Sequence, residues 1–160
     1  MIRKFENWLA RIVGKELEAV SASIFSFDGD KNYEHPQLLD LQFRACGHGI
    51  LGCGPDGSSI HWQNDLLVDI DLGENGEERV EDVSKSEIWQ DAIHSVLRKV
   101  EIVCSDVDKS DIGIRFSFEG AVCKSIFNLG DDLYVFNKIP IEILEEERLS
   151  FRAPGNRPST

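Results

Sequence analysis

Short runs of alternating apolar and polar residues recur along this chain, and they constrain its fold more than any other feature. Successive side chains of a strand point to opposite faces, so alternation with a period of two predicts a half-buried β-strand. The strand-like runs cover residues 19–27, 39–45, 60–62, 66–72, 102–104, 112–118, 122–128 and 133–137. Turn signals such as Asp28-Gly29-Asp30 separate several of them. We therefore expect consecutive strands to pair as an antiparallel meander.

Helical spacing of apolar residues appears at three places. The first is residues 5–13, where Gly14 is placed to end a helix. The second is residues 84–99, where Ser84-Lys85-Ser86-Glu87 matches a capping box. Apolar side chains then recur on one face of this second helix, at Ile88, Trp89, Ala92, Ile93, Val96 and Leu97. A short helix from Pro140 to Glu147 is also expected, because proline is favoured at helix starts.

These elements predict an α+β fold: a largely antiparallel β-sheet meander with an N-terminal helix and one central amphipathic helix packed on the sheet. The chain of 160 residues is long enough for one domain with its own core, and it contains no internal repeat. We assign residues 1–151 to that domain and residues 152–160 to a loose C-terminal tail.

Two segments of the predicted sheet concern function. Residues 47–57 are rich in glycine and predict a hairpin loop around the short apolar piece Ile50-Leu51. Residues 66–72 predict a strand whose buried face carries Leu66, Val68, Ile70 and Leu72, with acidic residues on the opposite, solvated face.

Acidic charge is concentrated in one part of the chain. The whole sequence has 29 acidic and 17 basic side chains, a formal net charge of −12. Residues 65–91 hold ten acids against Arg79 and Lys85, a balance of −8. This balance argues against binding to a phosphate backbone, which depends on Lys and Arg, so no nucleic-acid partner is expected. The acids are either a solvated sheet edge or a docking surface for a basic protein.

The docking interpretation assigns eight residues to a partner-binding acidic face: Asp65, Asp69, Asp71, Glu74, Glu77, Glu78, Glu81 and Asp82. A calcium loop does not fit this segment, because neither possible register places the glycine and the acidic ligands at the required positions.

The cysteine content and the start of the chain predict a cytoplasmic protein. The four cysteines are sparse for this length and suit reduced thiols rather than a disulfide framework. Charged residues interrupt the first residues before any long apolar run, so neither a signal peptide nor a membrane partner is expected.

Cys46, His48, Cys53 and His61 form a cluster with the residue types of a zinc site. Their spacing lacks the close ligand pairs that structural zinc sites usually contain. Cys46 and His48 also have the residue types of a nucleophile and its base, but no orienting group is evident in the sequence. We therefore expect no cofactor and no catalytic residues, and keep an enzyme or metal protein centred on these four residues as the alternative.

The overall plan resembles the immunity proteins of bacterial polymorphic and contact-dependent toxin systems, many of which are small, acidic, cytoplasmic α+β proteins. The resemblance lies in the Trp8-Leu9 helix ending at Gly14-Lys15, in the segment from Trp62 to Glu74, and in the closing strands around residues 114–118 and 126–131. It implies a non-catalytic protein that binds and neutralises a cognate, basic toxin. A nuclease would fit, since an acidic face can occupy its nucleic-acid groove. A generic adaptor subunit is a third interpretation.

Overall fold

In the computed structural model, which describes residues 2–155, strands dominate the chain. Nearly half of the residues lie in strands and about one in seven in helices, and every strand pairing is antiparallel. The helices are α1 (Ile2–Ile12) and α2 (Ile141–Glu146), with short 3-10 turns at Gly73–Asn75 and Glu119–Ala121. The α+β prediction is therefore wrong: this is a mainly β protein with two short helices.

The first sheet curls into a half-barrel and has the strand order β5-β4-β3-β1-β7-β6, with β2 paired to β1. Its strands are β1 (Leu17–Phe27), β2 (Asp30–Lys31), β3 (Leu38–Phe43), β4 (His48–Cys53), β5 (Ile60–Gln63), β6 (Ile70–Asp71) and β7 (Glu77–Asp82).

The second sheet has the order β11-β10-β9-β8-β12. Its strands are β8 (Leu97–Ser105), β9 (Ser110–Phe118), β10 (Val122–Leu129), β11 (Asp132–Phe136) and β12 (Leu149–Arg152). The predicted strands in this part of the chain are confirmed, as are the N-terminal helix and the short helix after Pro140.

The main core lies between the two sheets, where α1 contributes Trp8, Leu9 and Ile12, all at most 1% exposed. Phe43 of the first sheet stacks with Phe116 and Phe118 of the second. A smaller cluster on the second sheet joins Val103, Ile112, Phe127 and Ile139 to apolar side chains of α2. Each sheet thus buries the apolar residues that its alternation places on the core side.

The predicted central helix is the main error. Residues 84–94 form successive turns, and His94 has a positive φ of 66°. The hydroxyl of Ser84 accepts a hydrogen bond from the backbone N–H of Val20 in β1 instead of capping a helix. Leu97 begins β8, so part of the predicted helix belongs to the second sheet. The turns that remain are too short to form a stable helix, while Trp89 and Ala92 still reach the core.

The predicted hairpin loop at residues 47–57 is also wrong over half its length, because β4 is a buried strand paired on both sides. Gly49 permits this arrangement. A Cβ atom at position 49 would lie 1.9 Å from Cζ2 of Trp8, so the indole packs directly on the strand backbone.

Arg152, the first residue of the predicted tail, is the last residue of β12, and buried charged groups hold it in place. Arg152 donates hydrogen bonds to the carboxylates of Glu6 and Asp111, each at 2.9 Å. The backbone N–H of Gly155 also donates to Glu6. The predicted loose tail therefore starts in an ordered strand, and its residues 156–160 lie outside the described part of the chain. In the described part, no helix combines the length and apolarity needed to cross a membrane.

Candidate functional site

A six-residue connection, residues 64–69, joins the two edges of the first sheet. It leaves β5 at one edge and reaches β6 at the other, so it spans the distance between the edges of the curled sheet. We call it the crossing segment. Residues 64–69 form no hydrogen-bonded strand, and only Ile70 and Asp71 of the predicted strand pair with β7. The prediction of a full strand over residues 66–72 is therefore wrong.

The exposure of the apolar side chains in this region is the opposite of the predicted one. Leu66 is 66% exposed, Val68 63%, Ile70 43% and Leu72 38%. Leu67, which the sequence places on the solvated face, is instead only partly exposed. We call Leu66, Val68, Ile70 and Leu72 the apolar row. Asp65, Asp69 and Asp71 on the other face are exposed as well, so alternation along this segment does not separate a buried face from a solvated one.

The eight predicted partner-binding acids do not form one uniform face, because five of them have partners within the protein. Those partners fall into two groups, backbone amides and cations. The carboxylates of Asp69, Asp71 and Asp82 accept hydrogen bonds from the backbone N–H groups of Val80, Gly73 and Ser84.

Glu77 pairs with Arg79 at 3.0 Å, and Glu81 with Lys31 at 3.2 Å. Glu81 also accepts a hydrogen bond from the hydroxyl of Tyr33 at 2.8 Å. These acids hold the edge of the sheet in place. Part of the local negative charge therefore has a structural role and does not require a partner protein.

Asp65, Glu74 and Glu78 differ, because their side chains make no ion pair or hydrogen bond with any described residue. We call these three the free acids. Glu78 is the cross-strand partner of Ile70, so a free acid and a member of the apolar row share one face. Asp65 precedes Leu66 directly, and Glu74 follows Leu72 by two residues. The apolar row is thus bordered by uncompensated negative charge.

The predicted metal candidates do not converge. Cys46 lies in the turn before β4 and His48 begins that strand, whereas Cys53 ends it and His61 pairs with Gly52 near that far end. Within residues 2–155, no group of three or more His, Cys, Asp or Glu side chains could hold a metal ion. Burial and the nearby charges of Asp131 and Asp132 raise the pKa of Cys53 to about 11, which disfavours the thiolate that metals bind.

The sequence did not reveal the partner of His48, which is Asp40. Nδ1 of His48 lies 2.6 Å from Oδ2 of Asp40, a residue only 3% exposed on the neighbouring strand β3. Burial raises the pKa of the Asp40 carboxyl. The hydrogen bond to His48 lowers this pKa, but its effect is smaller than that of burial. In the sequence, Asp40 occupies an ordinary polar position of an alternating strand, and none of the predicted site residues is its neighbour. Only the pairing of β3 with β4 brings it to His48.

This pair orients an imidazole but does not complete a nucleophilic centre. The thiol of Cys46 faces the backbone carbonyl of Arg11 at 3.9 Å, and it makes no hydrogen bond to His48. Comparison with protein-family models, curated proteins and solved structures finds no match for this chain.

Proposed function

We propose that this is a non-catalytic binding protein that neutralises a basic bacterial toxin, and that it docks through the apolar row and the free acids. The observation that carries the proposal is the apolar row itself. Four large aliphatic side chains stand 38–66% exposed at alternate positions of one short segment. Scattered exposed aliphatics are common on soluble proteins, but a contiguous apolar patch usually marks a binding surface.

The composition of this surface suits a protein partner. Protein interfaces typically combine an apolar centre with a polar, solvated rim. Here the apolar row would form the centre, and Asp65, Glu74 and Glu78 would form the rim. Three carboxylates without internal partners would steer a basic protein towards the surface and suppress acidic ones.

The same charge argues against a second copy of the chain on this face. Two such surfaces would bring like charges together, and like charges at an interface are costly. The adaptor interpretation predicts self-association or a stable assembly, and gel filtration with light scattering over a range of concentrations tests it. We expect a monomer at low and high salt.

The decisive experiment is coexpression with the toxin candidate encoded next to this gene. We expect the wild-type protein to restore growth and to form a complex that can be purified. Replacing Leu66, Val68 and Ile70 with serine should weaken the complex mainly by speeding its dissociation, since apolar contacts mostly set the dissociation rate. Absence of any rescue by the wild-type protein would refute toxin neutralisation for that pair.

A charge-reversal variant separates the two parts of the surface. Asp65→Lys, Glu74→Lys and Glu78→Lys together should slow association and reduce its dependence on salt. The matched control reverses three exposed acids elsewhere, Asp108, Glu142 and Glu146, for the same change in net charge. If both variants lose binding equally, only the net charge of the protein matters and this surface is not the interface.

A further inference from the structure

A polar cavity of about 510 Å³ opens between α1 and the strands β4 and β5. Lys4, Asn7, Trp8 and Arg11 line one wall. Their spacing of three, four and seven residues places them on one face of α1. The sequence alone assigns Lys4 and Arg11 simply to the solvated side of this helix. Both residues are exposed, in agreement with that assignment, and they border a recess.

The opposite wall of the cavity comes from the strands of the first sheet. His48 lines it at the start of β4, and Trp62 and Asn64 line it at the end of β5 and just beyond. The Asp40 carboxylate contacts Nδ1 of His48 and is not among the lining groups, so Nε2 is the ring nitrogen left for the cavity.

The charge of this cavity is opposite to that of the protein. No Asp or Glu side chain of the described residues lines it, although the chain carries 29 acids and 17 bases. The side chains of Lys4 and Arg11 form no ion pair or hydrogen bond with any residue of the described chain. Two cations without counter-charges therefore stand at one recess of an acidic protein.

Two buried donors in the cavity walls provide an independent observation. The indole N–H groups of Trp8 and Trp62 have no acceptor among residues 2–155, and the two residues are only 1% and 8% exposed. A buried donor without an acceptor is costly, and in native proteins it often indicates an ion or water that completes the site. An indole N–H can only donate, so the missing partner must be an acceptor.

We propose that this cavity binds a small oxyanion, either a phosphate or a carboxylate group. Lys4 and Arg11 supply the positive charge, and the side-chain amides of Asn7 and Asn64 and the two indoles supply further donors. Arginine suits both kinds of oxyanion, because its planar group donates two parallel hydrogen bonds. The proposal uses different residues from the toxin-binding surface, and each proposal can fail without the other.

The test uses inorganic phosphate and succinate as separate probes at constant ionic strength. The ¹H–¹⁵N indole signals of the three tryptophans report on the site, assigned through Trp→Phe variants. We expect saturable shifts of the Trp8 and Trp62 signals, with a Kd of about 1 mM or tighter for at least one probe. Trp89 lies outside this cavity and its signal should stay in place. The probe that binds more tightly identifies the oxyanion class.

Two matched variants decide the outcome. Lys4→Gln with Arg11→Gln should weaken binding about tenfold or more, because it removes both charge-assisted contacts. Arg3→Gln with Lys15→Gln makes the same change in net charge at exposed residues outside the cavity, and should stay within about twofold of the wild type. No saturable shift up to about 10 mM of either probe, equal losses in both variants, or a shift of Trp89 alone would overturn the proposal.

Discussion

Leu66 and Leu67 are neighbours in the chain, and replacing each with alanine tests which of them the fold buries. Leu66 is 66% exposed, whereas Leu67 is only partly exposed. The structure predicts that Leu67→Ala costs more stability than Leu66→Ala. The alternating pattern of the sequence predicts the reverse order, so the two variants separate the alternatives within a single pair.

The size of each effect follows from burial. Fully burying a leucine side chain is worth about 1.5–3 kcal/mol, and Leu66 has only about a third of its surface covered. Leu66→Ala should therefore lower the free energy of unfolding by less than about 1 kcal/mol. Leu51 of β4 is 0% exposed and provides the upper reference. Leu51→Ala should cost about 2–5 kcal/mol, with Leu67→Ala between the two.

Urea unfolding followed by tryptophan fluorescence measures all three variants, because Trp8, Trp62 and Trp89 are all buried. The urea midpoint should be highest for Leu66→Ala, lower for Leu67→Ala and lowest for Leu51→Ala. The m value should be the same for all three. A loss for Leu66→Ala equal to or larger than that for Leu67→Ala would refute the exposed apolar row. It would also remove the main support for the proposed binding surface.

Three further substitutions probe the fold around the two sites. Gly49→Ala should lower the free energy of unfolding by about 1–3 kcal/mol or more in the same urea assay, because the new methyl group would overlap the enclosed ring of Trp8. Arg152→Gln should cost about 1.5–3 kcal/mol in that assay, since it removes the charge-assisted hydrogen bond that the buried guanidinium donates to Glu6. Asp40→Asn should change how stability depends on pH. Burial raises the pKa of Asp40, so the wild type is favoured below the pKa of the unfolded state and loses that advantage as pH rises through the folded pKa. The variant should therefore gain on the wild type from about pH 3 upward, measured as the difference in unfolding free energy.

Each of these substitutions has a control. Gly130 has a positive φ and no atom within 4 Å of the place where an added methyl group would stand, so Gly130→Ala should cost only about 1–2 kcal/mol of backbone strain. Arg98→Gln breaks an exposed pair with Glu119 and should stay within about 1 kcal/mol of the wild type. Equal losses for Arg98→Gln and Arg152→Gln would contradict the buried role of Arg152. The Asp40→Asn variant and the wild type should not differ by a constant unfolding free energy from about pH 3 upward. A constant difference would contradict the effect of burial on the pKa of Asp40.

Strands β9, β10 and β11 of the second sheet were predictable because local pattern and tertiary environment agree there, whereas β12 and the start of β8 were not predicted. Residues 112–118 alternate, one face packs in the core, and short turns lead to the neighbouring strands. The N-terminal helix was predictable for the same reason, since its apolar spacing and Gly14 provide consistent signals. At such elements a sequence contains nearly all the information that the backbone needs.

The candidate sites depended on contacts between distant parts of the chain. The hydroxyl of Ser84 had two possible partners, and pairing with β1 prevailed over capping a helix. Asp40 became the partner of His48 only because β3 and β4 pair in the observed register. Local signals cannot rank such alternatives, since the competing partner is remote in the sequence.

The sequence by itself determined that this chain forms antiparallel strands, begins with a helix and concentrates its acids between residues 65 and 91. Only the tertiary structure decided that the apolar row meets water, which acids are already paired, and that Lys4 and Arg11 stand beside a cavity. The physical reason is that alternation and charge are properties of neighbouring residues, whereas burial depends on what the remaining chain covers. The apolar row and the oxyanion cavity are both surfaces that the rest of the fold leaves open.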